Sequence, residues 1–380
     1  MITSDKLAEW LSRLVQIPSV NPVQATQRAG APGEAQIAAQ IGEWFKAFGG
    51  EVYTEEVHPN RPNVYGIWRG QSDRWLAVDI HTDTVGVEQM VGDPFDGRIA
   101  DGRVYGRGAV DTKATLGVIL AFLEAMHQAS ITPEANLLIA ATADEENGAQ
   151  SAPVLANWIR QQNIPLTELM VAEPTMCQPV YGHKGGVGLE FEVQGVASHT
   201  SKPDLGKNAI YATAHVIVAL EAEHQRLQTI PAETELGPPT LTVSIIEGGT
   251  GGNVVPDSCR FIVGWRAVPG MTTDEVIAHL QSVVERHCPL PVTMKVLLRL
   301  DSFLQSPDTP WIRQLSEWSG QRPTTVPYGT NAWAYGDLPG ECVVLGPGSI
   351  DQAHGDVEWV EISELEKLAN IYTHWWGISL

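Results

Sequence analysis

Four places in the sequence set a histidine or an acid just after a short apolar run. Trp75 to Ile80 ends in His81-Thr82-Asp83, Leu137 to Ala143 ends in Asp144-Glu145-Glu146, Val171-Ala172 ends in Glu173-Pro174-Thr175, and the run at Cys342 leads through Gly346-Pro347-Gly348 to His354. Imidazole and carboxylate without cysteine suit zinc or a similar divalent ion, and a carboxylate can bridge two ions where an imidazole cannot. Asp111, in Gly106-Arg107-Gly108-Ala109-Val110-Asp111-Thr112-Lys113, fits as that bridge, because the glycines permit a tight turn ahead of it. A site that activates water also needs an acid that is not a ligand and can act as base. The adjacent Glu145 and Glu146 could split those roles.

Residues so scattered act together only if the elements carrying them share an edge. The runs Trp75 to Ile80, Leu137 to Ala141 and Leu169 to Ala172 are short and nearly unbroken, as strands of a parallel sheet covered on both faces are. Ala114 to Met126 is apolar almost all round and reads as a buried helix. Ile37, Ile41, Trp44, Phe45 and Phe48 mark a helical face closed by Gly49 and Gly50. In open α/β sheets ligands bind outside the carboxyl ends of the strands, so the polar tips are expected in one crevice.

From about Val180 to Leu300 the pattern changes. Val187, Leu189, Phe191 and Val193 alternate as in a half-buried strand, and Asn208 to Leu227 reads as a helix. The strands Thr240 to Ile246 and Cys259 to Val268 are joined through the glycines at 248, 249, 251 and 252, a hairpin connection and not a phosphate loop, since no Lys-Ser/Thr comes after them. A helix from Thr272, with Glu275 placed for a capping box, and a strand Val292 to Leu300 complete a βαββαβ order of ferredoxin-like type. The first pattern then returns, with Pro310 to Trp318 as a helix, Cys342 to Leu345 as a strand, and Ser363 to Trp376 as a helix opened by a Ser363–Glu366 capping box. The expected fold is α/β, a mostly parallel sheet covered by helices over 1–179 and 301–380, interrupted by an inserted ferredoxin-like domain at 180–300.

Composition narrows the functions. A chain of 380 residues exceeds what one core usually serves. With 43% apolar and 18% charged residues it is expected to be globular. The net charge of −21 offers no footprint for nucleic-acid phosphates or anionic lipid. Four dispersed cysteines, Cys177, Cys259, Cys288 and Cys342, read as reduced thiols of a cytoplasmic protein. The amino terminus reads as an amphipathic helix and not a signal peptide, and no apolar run approaches a membrane span. GxSxG and HExxH are absent, which removes serine-hydrolase and single-zinc protease readings. His58, His127, His215, His224, His279, His287 and His374 read as ordinary core or surface histidines.

With these motifs in this order, the chain resembles, over nearly its whole length, the co-catalytic zinc amidohydrolase superfamily of acetylornithine deacetylase, succinyl-diaminopimelate desuccinylase, aminoacylase and glutamate carboxypeptidase, the first most of all. The resemblance implies two divalent cations, zinc or else cobalt. His81 and Glu173 would hold one, Glu146 and His354 the other, and Asp111 would bridge them. Glu145 would be the general base, and Asp83 would accept the second ring N–H of His81 and fix its tautomer. Gly195-Val196-Ala197-Ser198-His199-Thr200 resembles the segment whose histidine, here His199, stabilises the oxyanion, often from the partner subunit. Asn253 and Arg266 resemble positions that grip the substrate α-carboxylate, and Gly329-Thr330-Asn331 resembles another substrate-facing loop.

Two departures fall in the substrate region: Gly264 and Asn331 stand where the family commonly has acids. The activity implied is hydrolysis of the amide of an N-acyl-L-amino acid by a metal-bridged water, with the inserted domain serving as lid and homodimer interface. Its rivals are a desuccinylase, a dipeptidase or carboxypeptidase acting on short peptides, a two-metal phosphoesterase, and a non-catalytic binding protein on the same scaffold.

Overall fold

A computed structural model describes residues 2–232 and 234–378. The chain forms two compact units, one of Met1–Tyr181, Gln305–Thr324 and Thr330–Leu380, the other of Gly182–Leu304 and Thr325–Gly329. The expected limits were 179/180 and 300/301; the short return of 325–329 to the second unit has no local signature.

At the centre of the first unit run four parallel strands in the order Asn136–Thr142, Trp75–His81, Glu168–Val171, Glu341–Val344. The first three are buried along their whole length, which is why their sequences show no alternation. Because the four run in one direction, the residues after each carboxyl end emerge on the same edge: Asp83, Glu145 and Glu146, Glu173, and His354. Helix Lys113–Ala129 is buried on nearly every side and packs against helices Ser4–Val15 and Ile362–Trp375. The approach is close at Gly117, where a Cβ would lie 3.1 Å from the Leu11 backbone.

The sheet is mixed where a mostly parallel one was expected. Glu51–His58 and Arg61–Trp68 form an antiparallel hairpin beside Asn136–Thr142, and Val180 pairs antiparallel with Val344 on the other side. Glu51–His58 is an exposed edge strand rich in acids, so it lacks the apolar run that marks the central strands. The last helix also starts earlier than its capping signal suggested. It spans Ile362–Trp375 with Glu361 as N-cap and no side-chain cap bond. The strand Trp359–Glu361 leads straight into it, and Ile362 N–H is satisfied by Gly102 O at 2.8 Å.

The second unit carries a four-stranded antiparallel sheet in the order Thr240–Gly248, Ser258–Arg266, Gly186–Gln194, Val292–Leu300. Helices Ala209–Leu227 and Thr273–His287 bury their apolar faces against it. The Thr272–Glu275 capping box is present. A short ribbon pairs Ser198–His199 with Val254–Val255. Among the described residues no helix is long and apolar enough to cross a membrane, and the four cysteines are free.

Candidate metal centre

The carboxylate of Asp111 faces two imidazoles at once. Its Oδ1 lies 3.1 Å from His81 Nε2 and its Oδ2 lies 3.1 Å from His354 Nε2. Glu173 completes a trio with His81 and Asp111, and Glu146 completes one with Asp111 and His354. Within each trio one candidate ligand atom per residue lies within 4.8 Å of the others. Each oxygen of the shared acid thus serves a different trio, which is the arrangement a bridging carboxylate needs.

His81 is buried at its strand end, and its Nδ1 lies 3.0 Å from the backbone carbonyl of Asp83, against 3.6 Å from the Asp83 carboxylate. With Nδ1–H donated to that carbonyl, Nε2 is the nitrogen that faces Asp111 and that would offer its lone pair to a cation taking the place of its proton. Burial opposes the charge of the Asp83 carboxylate, but its ion-pair contact with the ring holds it below the usual carboxylate range. It takes its shorter hydrogen bonds from the neighbouring loop and Asn21. It accepts the backbone N–H of Glu145 at 3.0 Å and of Glu146 at 3.1 Å, and a bond from Asn21 Nδ2 at 2.9 Å.

Charge is crowded here. Asp83, Asp111, Glu145, Glu146 and Glu173 meet only two imidazoles. Burial, and then neighbouring carboxylates, push Glu145 up to about 8. Burial likewise raises Glu173 well above the carboxylate range, and Glu146 upward. Asp111 goes the other way: burial opposes its charge, but hydrogen bonds from His354 and His81 hold it far below the usual range. Those bonds raise His81 strongly and, with Glu146, push His354 up to about 10. Glu146 Oε1 is buried and faces His354 Nε2 at 3.3 Å, a nitrogen it shares with Asp111. Excess buried negative charge, two carboxylates facing one imidazole nitrogen and N/O donors in two overlapping trios fit two divalent cations.

Behind the cluster lies support that no sequence pattern announced. Asp144 has φ of 59°, a left-handed backbone that costs of order 1 kcal/mol in a non-glycine residue. It is held there by Arg61 Nη2 at 2.9 Å, His58 Nε2 at 2.8 Å and Asn21 Nδ2 at 3.1 Å, and its own N–H donates to Glu34 Oε1 at 3.0 Å. His58, an ordinary histidine by sequence, is therefore part of the frame around Glu145. Its partner lies 86 positions away, beyond any local signal.

The substrate-facing residues divide. Thr330 and Asn331 do not offer side chains to a ligand: both are buried. Thr330 Oγ1 caps Ala332 N–H at 3.2 Å, and Asn331 bonds the buried Asp79 carboxylate. A carboxylate buried this deeply needs donors, and Asn331 supplies one, with Tyr335 Oη and Thr142 Oγ1 each at 2.6 Å. In the second unit His199 and Asn253 are exposed on one ribbon, Thr200 N–H donating to Asn253 O at 3.1 Å. His199 Nδ1 accepts Ser201 N–H at 3.1 Å, which leaves Nε2–H free to donate. Arg266 is exposed at the last position of its strand.

The model of peptidase family M20/M25/M40 matches residues 77–377. An acetylornithine deacetylase of Myxococcus xanthus is 34% identical over 316 residues, 80% of each chain. The dipeptidase Dug1p of Saccharomyces cerevisiae superposes with a TM-score of 0.80 at 14% identity, covering 99% of this chain and 97% of that one. The YXEP protein of Bacillus subtilis, described as a dinuclear metal binding peptidase, superposes with a TM-score of 0.65 at 14% identity, covering 98% of both. At such identities the two structures speak for the fold alone.

Proposed function

The chain belongs to peptidase family M20/M25/M40, and on that premise we propose that it is a two-metal amidohydrolase that removes the acyl group from an N-acyl-L-amino acid of the acetylornithine kind. The observation that carries the reading is Asp111, whose two oxygens each face one imidazole while Glu145, next in sequence to a ligand, belongs to neither trio. The deacetylase relative supports the substrate class.

His81, Asp111 and Glu173 would hold one cation and Asp111, Glu146 and His354 the other, zinc being the first choice for these donors and cobalt the second. Bound there, the ions would supply Lewis-acid polarisation of the scissile carbonyl and acidify a water. Glu145 does the proton work. Its carboxylate takes a proton from the attacking water and returns it to the departing amine, a role worth typically 10²- to 10⁴-fold. His199 Nε2–H would donate to the developing oxyanion, and the Arg266 fork would grip the substrate carboxylate, with Asn253 beside His199 as a further polar contact.

The second unit suggests how His199 and Arg266 could serve one substrate. His199 and Asn253 sit on the ribbon joined to the Ser258 end of the strand Ser258–Arg266, and Arg266 is at its other end. A nine-residue strand spans roughly 25 Å, whereas an acylated amino acid is about 10 Å long. That separation favours contacts to one substrate from different copies, and we infer that the two residues come from different chains of a homodimer. The edge strand Thr240–Gly248 exposes Ile245 and Ile246, and helix Ala209–Leu227 exposes Tyr211 and Val218, an apolar face suited to a second copy. Four free cysteines fit a reducing cytoplasm.

The deciding experiment assays acetylornithine, succinyl-diaminopimelate and a set of dipeptides on zinc- and cobalt-loaded protein. Acetylornithine or a near analogue should be the best substrate. Cleavage of dipeptides alone would move the chain to the peptidases, and binding without turnover of any acylated amino acid would end the enzymatic reading.

A further inference from the structure

Asp111, Glu146 and His354 come from three separate loops, and one run of hydrogen bonds centred on Arg107 reaches the backbone at or beside each of them. Arg107 is buried in the turn Gly106-Arg107-Gly108. Its Nη1 donates to Glu358 Oε2 at 2.6 Å, and the other oxygen of Glu358 accepts the N–H of Val110 at 3.0 Å and of Asp111 at 3.2 Å. Its Nη2 donates to the carbonyl of Gly355, the neighbour of His354, at 3.2 Å and to that of Gly86 at 3.1 Å. Gly86 N–H donates to Gln24 Oε1 at 3.1 Å, and Gln24 Nε2 donates to the carbonyl of Glu146 at 3.2 Å. None of these bonds touches His81 or Glu173.

We propose that Arg107, acting through Glu358 and Gln24, is the positioning residue that sets the Asp111–Glu146–His354 trio for its cation, and that the His81–Asp111–Glu173 trio depends on it far less. A guanidinium offers five donors in one rigid plane. Here it ties a carboxylate and two loop carbonyls. Strand pairing of Tyr105 with Trp359 and the Gly106 N–H to Glu358 O bond at 3.0 Å already join the Arg107 and Glu358 segments. The fork adds the ties to Gly355 and, through Gly86 and Gln24, to Glu146. A buried ion pair adds little net stability once its desolvation is counted, so geometry is the stronger reason for placing one here. Ligand sets tolerate displacements of only about half an ångström. Loosening the hub therefore acts on the cation that needs all three loops at once. The inference rests on the two-cation reading of the cluster.

The test is calorimetric titration of metal-free protein with Co²⁺ and with Zn²⁺, together with the visible absorption of the Co²⁺ forms. Wild type should take two ions. Arg107→Met and Gln24→Leu should keep one ion near wild-type affinity and bind the other about ten- to a hundredfold more weakly. Arg107→Lys should recover part of the loss, since an ammonium can keep the Glu358 contact but not the fork. Adding Glu173→Gln to Arg107→Met should then remove the retained ion, which identifies its trio. Circular dichroism of the metal-free variants selects the deciding one: Arg107→Met if its fold matches wild type, otherwise Gln24→Leu, whose site is only partly buried. Fewer than two ions on wild type would overturn the two-cation reading itself. Two ions on wild type, with both steps unchanged or equally weakened in the deciding variant, would overturn the assignment to Arg107.

Discussion

Asp83 accepts the backbone N–H of Glu145 on one carboxylate oxygen at 3.0 Å. Its other oxygen takes the N–H of Glu146 at 3.1 Å. The proposed base and a proposed metal ligand, neighbours in the chain, are thus hung from one buried acid just after Asp144. The Asp83 carboxylate holds the loop, while its backbone carbonyl holds the His81 ring.

Glu145→Gln keeps the shape of the side chain and removes its ability to take a proton. The variant should bind both ions, by elemental analysis, while kcat falls roughly 10²- to 10⁴-fold. Retained turnover would show that another group is the base.

Metal binding should release protons. In the metal-free protein His354 is pushed up to about 10 by Asp111 and Glu146, and Glu145 up to about 8 by burial, so both carry protons at pH 7. A cation needs the free imidazole lone pair and favours ionised carboxylates. Apparent affinity should therefore tighten as pH rises toward these values, by up to about tenfold per pH unit for each proton expelled. Calorimetry at neutral pH in buffers of different ionisation enthalpy counts those protons; a heat independent of buffer would contradict the account.

Mixing two dead variants should restore activity. If His199 and Arg266 reach one substrate from different chains, His199→Ala and Arg266→Ala are each inactive alone. In a mixed dimer one of the two sites is then intact, so equal mixing and re-equilibration should recover about a quarter of wild-type turnover. No recovery, with mixed dimers demonstrated by mass spectrometry, would place both residues within one chain or outside the site.

Tyr335→Phe tests the buried acid under the site. It deletes one of the short bonds to Asp79, leaving a buried carboxylate under-satisfied at a cost of about 1–3 kcal/mol. Urea unfolding should report that loss; an unchanged midpoint would mean that Asp79 is satisfied without it.

The chemistry-bearing residues were legible because burial leaves a local trace. Unbroken apolar runs ending at His81, Thr142 and Val171 mark strands covered on both faces, and a parallel arrangement delivers the residues just beyond them to one edge. The alternation in Val187 to Val193 and the Thr272–Glu275 box likewise carried the second unit, each within ten residues. Glu51–His58 left no such trace, being largely exposed and rich in acids at the sheet edge, and the Ser363 signal misled because strand pairing had already satisfied the helix start.

Sequence by itself thus determined which acids and imidazoles converge, because periodicity reports which side of an element is dry. The direction of Asn331 into the core, the choice of carbonyl over carboxylate at His81, and the hub at Arg107 were decided only by the tertiary structure. Arg107 and Glu358 stand 251 positions apart, and single polar residues carry no period. Their partners exist only after the loops have closed, when every buried donor and acceptor must find one.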